Sequence, residues 1–121
     1  MKIIDSNLLI YSAKEEYMCL RSELKSEDTH ISAISTIEVL GYHKITYTDK
    51  VYFETMFRRL SIIPITDSVL KQAILFKQNK NISAGDAIIA ATAYLNNATL
   101  YTRNTKDFEW IDGLKVVNPV K

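Results

Sequence analysis

Residues 83–95 read SAGDAIIAATAYL and predict a helix that is apolar on nearly all sides. Such a helix is buried in a protein rather than lying on its surface. Asp86 falls in the first turn of this helix, where we expect it to be half-buried. A buried carboxylate without a partner is driven towards its neutral form, and a divalent cation shared with other carboxylates would supply the partner. The stretch therefore predicts a central helix and a candidate metal ligand.

Short apolar runs alternate with helical patterns on both sides of this central helix. The predicted strands cover 1–4, 30–32, 61–65, 99–102 and 114–117, and the predicted helices cover 7–24, a segment opening at Ser35, 49–60, 68–80 and 83–95. This alternation implies crossover units and a parallel sheet with helices on both faces. The predicted fold class is α/β, with a short parallel sheet of four or five strands flanked by helices.

Composition limits the possible classes of protein. A chain of 121 residues is long enough for one compact domain and too short for two of ordinary size, so we expect a single domain over 1–121. The net charge of +1 neither supports nor excludes binding to nucleic acid. A lone cysteine, Cys19, is typical of a reducing cytoplasm. Neither a signal peptide nor a membrane-spanning stretch is expected.

Four separated acids fall where chemistry is expected in such a sheet. Asp5 follows the first predicted strand, and Asp107 lies in the loop after strand 99–102. Glu38 and Asp86 are each predicted in the first turn of a helix. Binding sites of open parallel sheets lie just beyond the carboxyl ends of the strands. One rim of the sheet could therefore gather all four carboxylates.

Each acid also has a purely structural explanation. Ser35 and Glu38 match a capping box, in which the serine caps the helix and the glutamate lies at the third helical position. Asp86 would gain from the helix dipole in a first turn, and Asp5 could cap the helix after it. Asp107 could be an ordinary loop acid. On these interpretations the protein would be a non-catalytic α/β binding module.

Carboxylates gathered in this way favour one kind of reaction. Oxygen ligands suit Mg²⁺ or Mn²⁺, which can polarise a phosphoryl oxygen and generate hydroxide near neutral pH. That is the chemistry of phosphodiester hydrolysis. The glycines are too scattered for a phosphate-binding loop, and His30 and His43 lack metal-ligand spacing.

Four segments carry a family resemblance over essentially the whole chain. They are IDSN at 4–7, STIEVLG at 35–41, GDAIIAATA at 85–93 and LYTRNTKDF at 100–108. With these segments the sequence resembles the PIN-domain ribonucleases, and more narrowly the VapC-type toxins of prokaryotic toxin–antitoxin pairs.

The resemblance implies a PIN-like three-layer fold and an endoribonuclease that cuts RNA with Mg²⁺ or Mn²⁺. Asp5 and Asp86 would be principal metal ligands, and Glu38 and Asp107 would complete the acidic set. Polar residues that would orient the carboxylates are Ser6, Asn7, Thr102 and Asn104. The implied partners are the RNA substrate, a cognate antitoxin and a second copy of the chain. The alternative within the family is a nuclease of RNA maturation or decay without an antitoxin.

Two further groups of side chains leave alternatives open. Arg103 and Lys106 are placed to hold RNA phosphates, although charged residues often form only a solvated face. The middle third of the chain is rich in Met and aromatic residues, which are Tyr42, Tyr47, Tyr52, Phe53, Met56 and Phe57. These either pack in the core or form a groove for an antitoxin helix or a second subunit.

Overall fold

Strands and helices alternate along the chain in the structure, a computed structural model that describes residues 1–120. In chain order they are β1 (Lys2–Ile4), α1 (Ser6–Ser12), α2 (Leu20–Leu24), β2 (Thr29–Ser32), α3 (Ala33–Leu40), α4 (Tyr47–Arg59), β3 (Ser61–Ile63), α5 (Asp67–Asn79), α6 (Ala84–Leu95), β4 (Thr99–Tyr101) and β5 (Lys115–Val117). Short 3₁₀ helices cover Glu15–Tyr17 and Thr105–Asp107. None of the helices described in 1–120 has the length and apolar character needed to cross a membrane.

The sheet has five strands in the order β3-β2-β1-β4-β5, and every neighbouring pair is parallel. Strand β1 is therefore central, and Ile3 pairs with His30 on one side and Leu100 on the other. Strand β3 lies at an edge, which agrees with Pro64 directly after it. The predicted α/β class and the parallel sheet are confirmed.

Helices cover both faces of the sheet and give the molecule three layers. Successive strand residues point to opposite faces, so Ile3 packs into one core and Ile4 into the other. The Ile3 core is formed with α5 and α6, whereas the Ile4 core is formed with α1 to α4. Helix α6 is buried as predicted, since Ala87, Ala90 and Ala91 have no exposed surface.

The predicted start of α3 is wrong, and with it the capping box. The helix begins at Ala33, and its N-cap is Ser32, whose hydroxyl accepts a hydrogen bond from the Ile34 backbone N–H at 3.2 Å. Ser35 is instead buried inside the helix, and Glu38 lies in the second turn. A capping role therefore does not explain Glu38.

The single helix predicted over 7–24 is also wrong. Helix α1 ends at Ser12, where the Arg21 guanidinium donates to the carbonyl oxygens of Ser12 and Ala13 at 3.0 and 3.2 Å. Lys14 then has an extended backbone. Because a side chain eight to nine residues further along satisfies these carbonyls at the end of α1, the helix ends without a glycine or proline. The other predicted helices and strands start and end within two residues of the observed ones.

Candidate metal centre

Three of the four predicted acids line one cleft of about 190 Å³. They come from three different places in the fold, namely the end of β1, the second turn of α3 and the first turn of α6. The cleft is lined by Asp5, Ser6, Asn7, Ile10, Glu38 and Asp86. It lies at the carboxyl end of the central strand, as expected for a parallel sheet.

Asp5 is the most buried of these acids, with 4% of its surface exposed. Its Oδ1 accepts a hydrogen bond from the Leu8 N–H at 2.8 Å, so the expected capping of α1 is confirmed. Burial is the main reason that the Asp5 pKa rises from 3.8 to about 6, and the negative charges of Asp86 and Glu38 raise it further. The Thr102 hydroxyl and the Leu8 N–H oppose this rise. Asp5 is thus both the N-cap of α1 and a carboxylate whose charged form is disfavoured by burial in the cleft.

Asp86 lies at the third position of α6 and is half-buried, as predicted. The hydroxyl of the N-cap Ser83 accepts a hydrogen bond from the Asp86 backbone N–H at 3.1 Å. Burial raises the Asp86 pKa first, followed by the charges of Glu38 and Asp107, and the Ser83 hydroxyl lowers it. The helix start and the neighbouring acids therefore act on the same carboxylate in opposite directions.

Glu38 is exposed, but its carboxylate is held from two sides. The Ser6 hydroxyl donates to Glu38 Oε1 at 2.6 Å and is itself hydrogen-bonded to Ser35 Oγ at 2.9 Å. On the other side the carboxylate touches Gly85, where an added Cβ would overlap Glu38 Oε2 and lie 2.9 Å from Glu38 Cδ. The absence of a side chain at Gly85 leaves the space that this carboxylate occupies next to Asp86.

Asp107 does not line the cleft and is exposed in the 3₁₀ helix Thr105–Asp107. Its charge nevertheless raises the pKa of Asp86, so it lies within electrostatic reach of the cleft. Of the supporting residues, Thr102 is fully buried and its hydroxyl accepts from the Asn104 N–H at 3.0 Å. Asn104 is exposed, whereas Asn7 lines the cleft.

Arg103 has partners that the sequence did not reveal. Its guanidinium lies 4.4 Å from the Tyr11 ring centroid and 5.3 Å from that of Tyr17. The tyrosines meet because the chain turns after α1, and their spacing along the sequence gives no sign of this. Lys106 is exposed. Ser35 and Gly85 were also missed as residues that shape the site, although both lie inside the motifs identified above.

The donor set fits a divalent cation. In residues 1–120, no group of three His, Cys, Asp or Glu side chains stands close enough together to hold a metal ion as arranged. However, the ion pairs found in this range join the Met1 amino group to Asp28 and Lys2 to Glu23, so the four acids have no cationic partner there. Burial and neighbouring acids raise the pKa of both Asp5 and Asp86, and a site that offers only oxygen ligands suits a hard divalent cation such as Mg²⁺ or Mn²⁺.

The three-layer fold and the acidic cleft define an α/β domain with a candidate metal centre at the carboxyl end of its sheet. A comparison with family descriptions matches the PIN domain over residues 2–114. The chain belongs to the PIN domain family, which is a family of nucleases. A search of curated proteins gave no match.

Solved structures give the same assignment. The chain is similar to one in a toxin–antitoxin complex from Klebsiella pneumoniae, with 30% identity, a TM-score of 0.81 and coverage of 100% of this chain and 99% of the other. FitAcB from Neisseria gonorrhoeae is 25% identical, with a TM-score of 0.77 and 98% of each chain covered. VapBC2 from Rickettsia felis, bound to a promoter DNA fragment, shares the fold at 24% identity and a TM-score of 0.77, with 97% of each chain covered. The resemblance to PIN-domain toxins is confirmed.

Proposed function

We propose that this protein is a Mg²⁺- or Mn²⁺-dependent endoribonuclease that hydrolyses RNA phosphodiester bonds as the toxin of a type II toxin–antitoxin pair. One observation carries the proposal. Asp5, Glu38 and Asp86 line a single cleft and have no cationic partner in residues 1–120. Helix caps alone would not require three carboxylates from separate elements to share one cleft.

Asp5 and Asp86 are the proposed principal metal ligands, and Glu38 and Asp107 complete the set directly or through water. A bound divalent cation would polarise a phosphoryl oxygen and supply hydroxide near neutral pH. Binding of the cation would also favour the charged forms of Asp5 and Asp86, whose pKa values are raised first by burial and then by neighbouring acids.

The remaining residues hold these carboxylates and the substrate in place. Ser6 fixes one oxygen of Glu38, and Thr102 contributes a buried hydroxyl beside Asp5. Asn7 and Asn104 are proposed to assist through their exposed amides. Arg103 and Lys106 are proposed to bind RNA phosphates, since an arginine stacked on aromatic rings keeps its N–H groups pointing in a fixed direction.

An antitoxin protein is the proposed partner, because a similar chain from Klebsiella pneumoniae, 30% identical to this one, lies in a toxin–antitoxin complex. A homodimer is proposed as well. Leu70 and Ile74 lie one turn apart on α5 and are 42% and 55% exposed, which a dimer contact would cover. We also propose that the protein acts in the cytoplasm and that residues 1–121 form one domain.

The decisive experiment measures cleavage of RNA with Mg²⁺, with Mn²⁺ and with EDTA. Asp5→Asn and Asp86→Asn should lose activity, whereas Asp67→Asn should keep it, because Asp67 is an exposed first-turn acid outside the cleft. If the wild type shows no metal-dependent cleavage, or the two cleft variants cleave as well as the wild type, the protein is not this nuclease. If Asp5 were only a helix cap, Asp5→Ala would lose about 1 kcal/mol of stability and Asp5→Asn would lose little.

A further inference from the structure

A recess of about 520 Å³ lies beside the acidic cleft. Its inner wall is apolar and comes from three helices, with Ile10 from α1, Val39 from α3 and Phe53 from α4. Val39 and Phe53 are buried, so the recess reaches into the core of this layer. A volume in this range is typical of small-molecule and cofactor sites.

Ile10 lines both the recess and the cleft. It follows Ser6 by one turn of α1, which corresponds to about 6 Å along the helix axis. The recess therefore opens about one residue or nucleotide along α1 from Ser6, which donates to Glu38.

The rim of the recess carries one aromatic ring and two lysines. Tyr42 is 48% exposed and lies edge-to-face with His43 at 5.3 Å between ring centroids. Lys14 and Lys44 are exposed and form no ion pair within the described chain. Asp49 is the acid at this recess, and it lies in the first turn of α4, where the helix dipole offsets its charge.

We propose that this recess is a nucleotide subsite that takes an unpaired nucleobase next to the RNA phosphate held at the acidic cleft. Proteins that bind single-stranded RNA stack bases on aromatic side chains and hold the backbone with cations. Tyr42 and the apolar wall supply the first contact, and Lys14 and Lys44 supply the second. A peptide could pack against the apolar wall equally well, but it would bring no phosphate to the two rim lysines.

The subsite rests on the proposed ribonuclease function, and binding tests it separately from cleavage. The probes are a short single-stranded oligoribonucleotide of mixed sequence and a ribose-phosphate strand of equal length without bases. Both are titrated in EDTA against the Asp86→Asn protein, which neither cleaves nor binds metal in this buffer. In that background, Tyr42→Ala should weaken binding of the base-bearing strand by about 5- to 150-fold, the effect of losing one stacked base.

Matched variants separate stacking from a general loss of structure. Tyr42→Phe keeps the ring and should bind like the parent protein. Tyr47→Ala removes a tyrosine that is 81% exposed outside the recess and should change affinity by less than about twofold. Binding of the base-free strand should be nearly equal for all of these proteins. Equal loss on both strands, or no loss with Tyr42→Ala, would overturn the subsite.

The lysines are tested by the salt dependence of binding. Lys14→Ala and Lys44→Ala should each reduce the slope of log K against log salt by about 0.7, the value for one phosphate contact on a single strand. Lys50→Ala, on the exposed surface of α4, should leave the slope unchanged. An unchanged slope for both rim lysines contradicts the subsite.

The cleavage and binding experiments distinguish an incorrect subsite proposal from an incorrect ribonuclease proposal. If the wild type cleaves RNA with Mg²⁺ or Mn²⁺ but Tyr42→Ala binds and cleaves normally, the subsite is wrong and the ribonuclease remains. In that case a protein segment is the better occupant of the recess. If the wild type neither cleaves nor binds RNA, both proposals fall.

Discussion

The carboxylate of Glu38 fills the space that a side chain at Gly85 would need. The contact joins the second turn of α3 to the first turn of α6, and it lies one residue from Asp86. Gly85 thus matters for the site because it has no Cβ, which leaves room for the Glu38 carboxylate.

Replacing Gly85 with alanine should separate activity from stability. Alanine is the better helix former by about 1 kcal/mol, and the atom that must move is the end of a flexible side chain. We therefore expect a free energy of unfolding within about 1 kcal/mol of the wild type, together with reduced metal-dependent cleavage. In a Glu38→Ala background, Gly85→Ala should cause no further loss of activity. An additive loss would mean that the alanine acts elsewhere.

Removing the Ser6 hydroxyl should weaken metal binding more than it lowers the stability of the fold. Ser6→Ala deletes the 2.6 Å hydrogen bond to Glu38, and loss of a residue that orients a ligand typically costs about 10- to 100-fold in metal affinity or activity. Titration of Mn²⁺ against cleavage rate would measure this effect. Ser22→Ala is the control, since Ser22 is exposed and its hydroxyl donates to the carbonyl of Cys19, the N-cap of α2.

The stability of the metal-free protein should fall as the pH rises from about 4 to 6. The Asp5 pKa is about 6 in the folded protein and 3.8 ordinarily, so within this range the native state binds the proton more tightly than the unfolded state. The free energy of unfolding then decreases with pH, by on the order of 2–3 kcal/mol for this group. Denaturant unfolding in EDTA should show that Asp5→Asn, which keeps a side-chain cap, loses this part of the slope. A slope identical to that of the wild type would contradict the assignment.

Metal binding should stabilise the fold through the same acids. At a Mn²⁺ concentration of 100 times Kd the expected gain is about 2.7 kcal/mol, or a rise in Tm of about 10 °C. The rise should vanish in Asp86→Asn and persist in Asp67→Asn, which has its acid in the first turn of a different helix. Thermal unfolding with and without EDTA gives the readout, and an equal rise in all three proteins would point to nonspecific binding.

Tyr17 should stabilise Arg103 through its aromatic ring. Tyr17→Leu removes a ring that lies 5.3 Å from the Arg103 guanidinium, and we expect a loss of about 1 kcal/mol in stability and weaker RNA binding. Tyr17→Phe should preserve most of both. Arg103→Lys should also weaken RNA binding, because a lysine ammonium lacks the planar group that stacks on tyrosine. If Tyr17→Leu binds RNA normally, the ring does not orient Arg103.

The sequence predicted the sheet, the buried α6 and the half-buried position of Asp86, because each follows from a pattern of apolar side chains. It failed at the start of α3, where Ser32 and Ser35 are equally suitable caps and only the packing around Ser35 decides between them. The contacts of Ser35 also could not be predicted from local patterns. Ser35 contacts Ser6, a residue far away in sequence, and Ser6 in turn positions Glu38.

The break between α1 and α2 shows the same limit. No residue at positions 13–19 forbids a helix, and the turn is set by Arg21 satisfying the carbonyls of Ser12 and Ala13. The pair of tyrosines around Arg103 exists only because of that turn. Long-range side-chain contacts, rather than propensity, therefore determine which residues surround the acids.

The central position of β1 determines at which point of synthesis the acidic cleft can form. Lys2 pairs with Thr99, and the Asp5 N–H donates to the Tyr101 carbonyl, so the first strand gains its second neighbour only after residues 99–101 have been made. At about 5–20 residues per second, a ribosome needs roughly 5–20 s to supply that neighbour. A nascent chain that stops before Thr99 lacks both β4 and the Thr102 hydroxyl beside Asp5. The growing polypeptide thus stays without its completed cleft until the segment that carries β4 and Thr102 has been made.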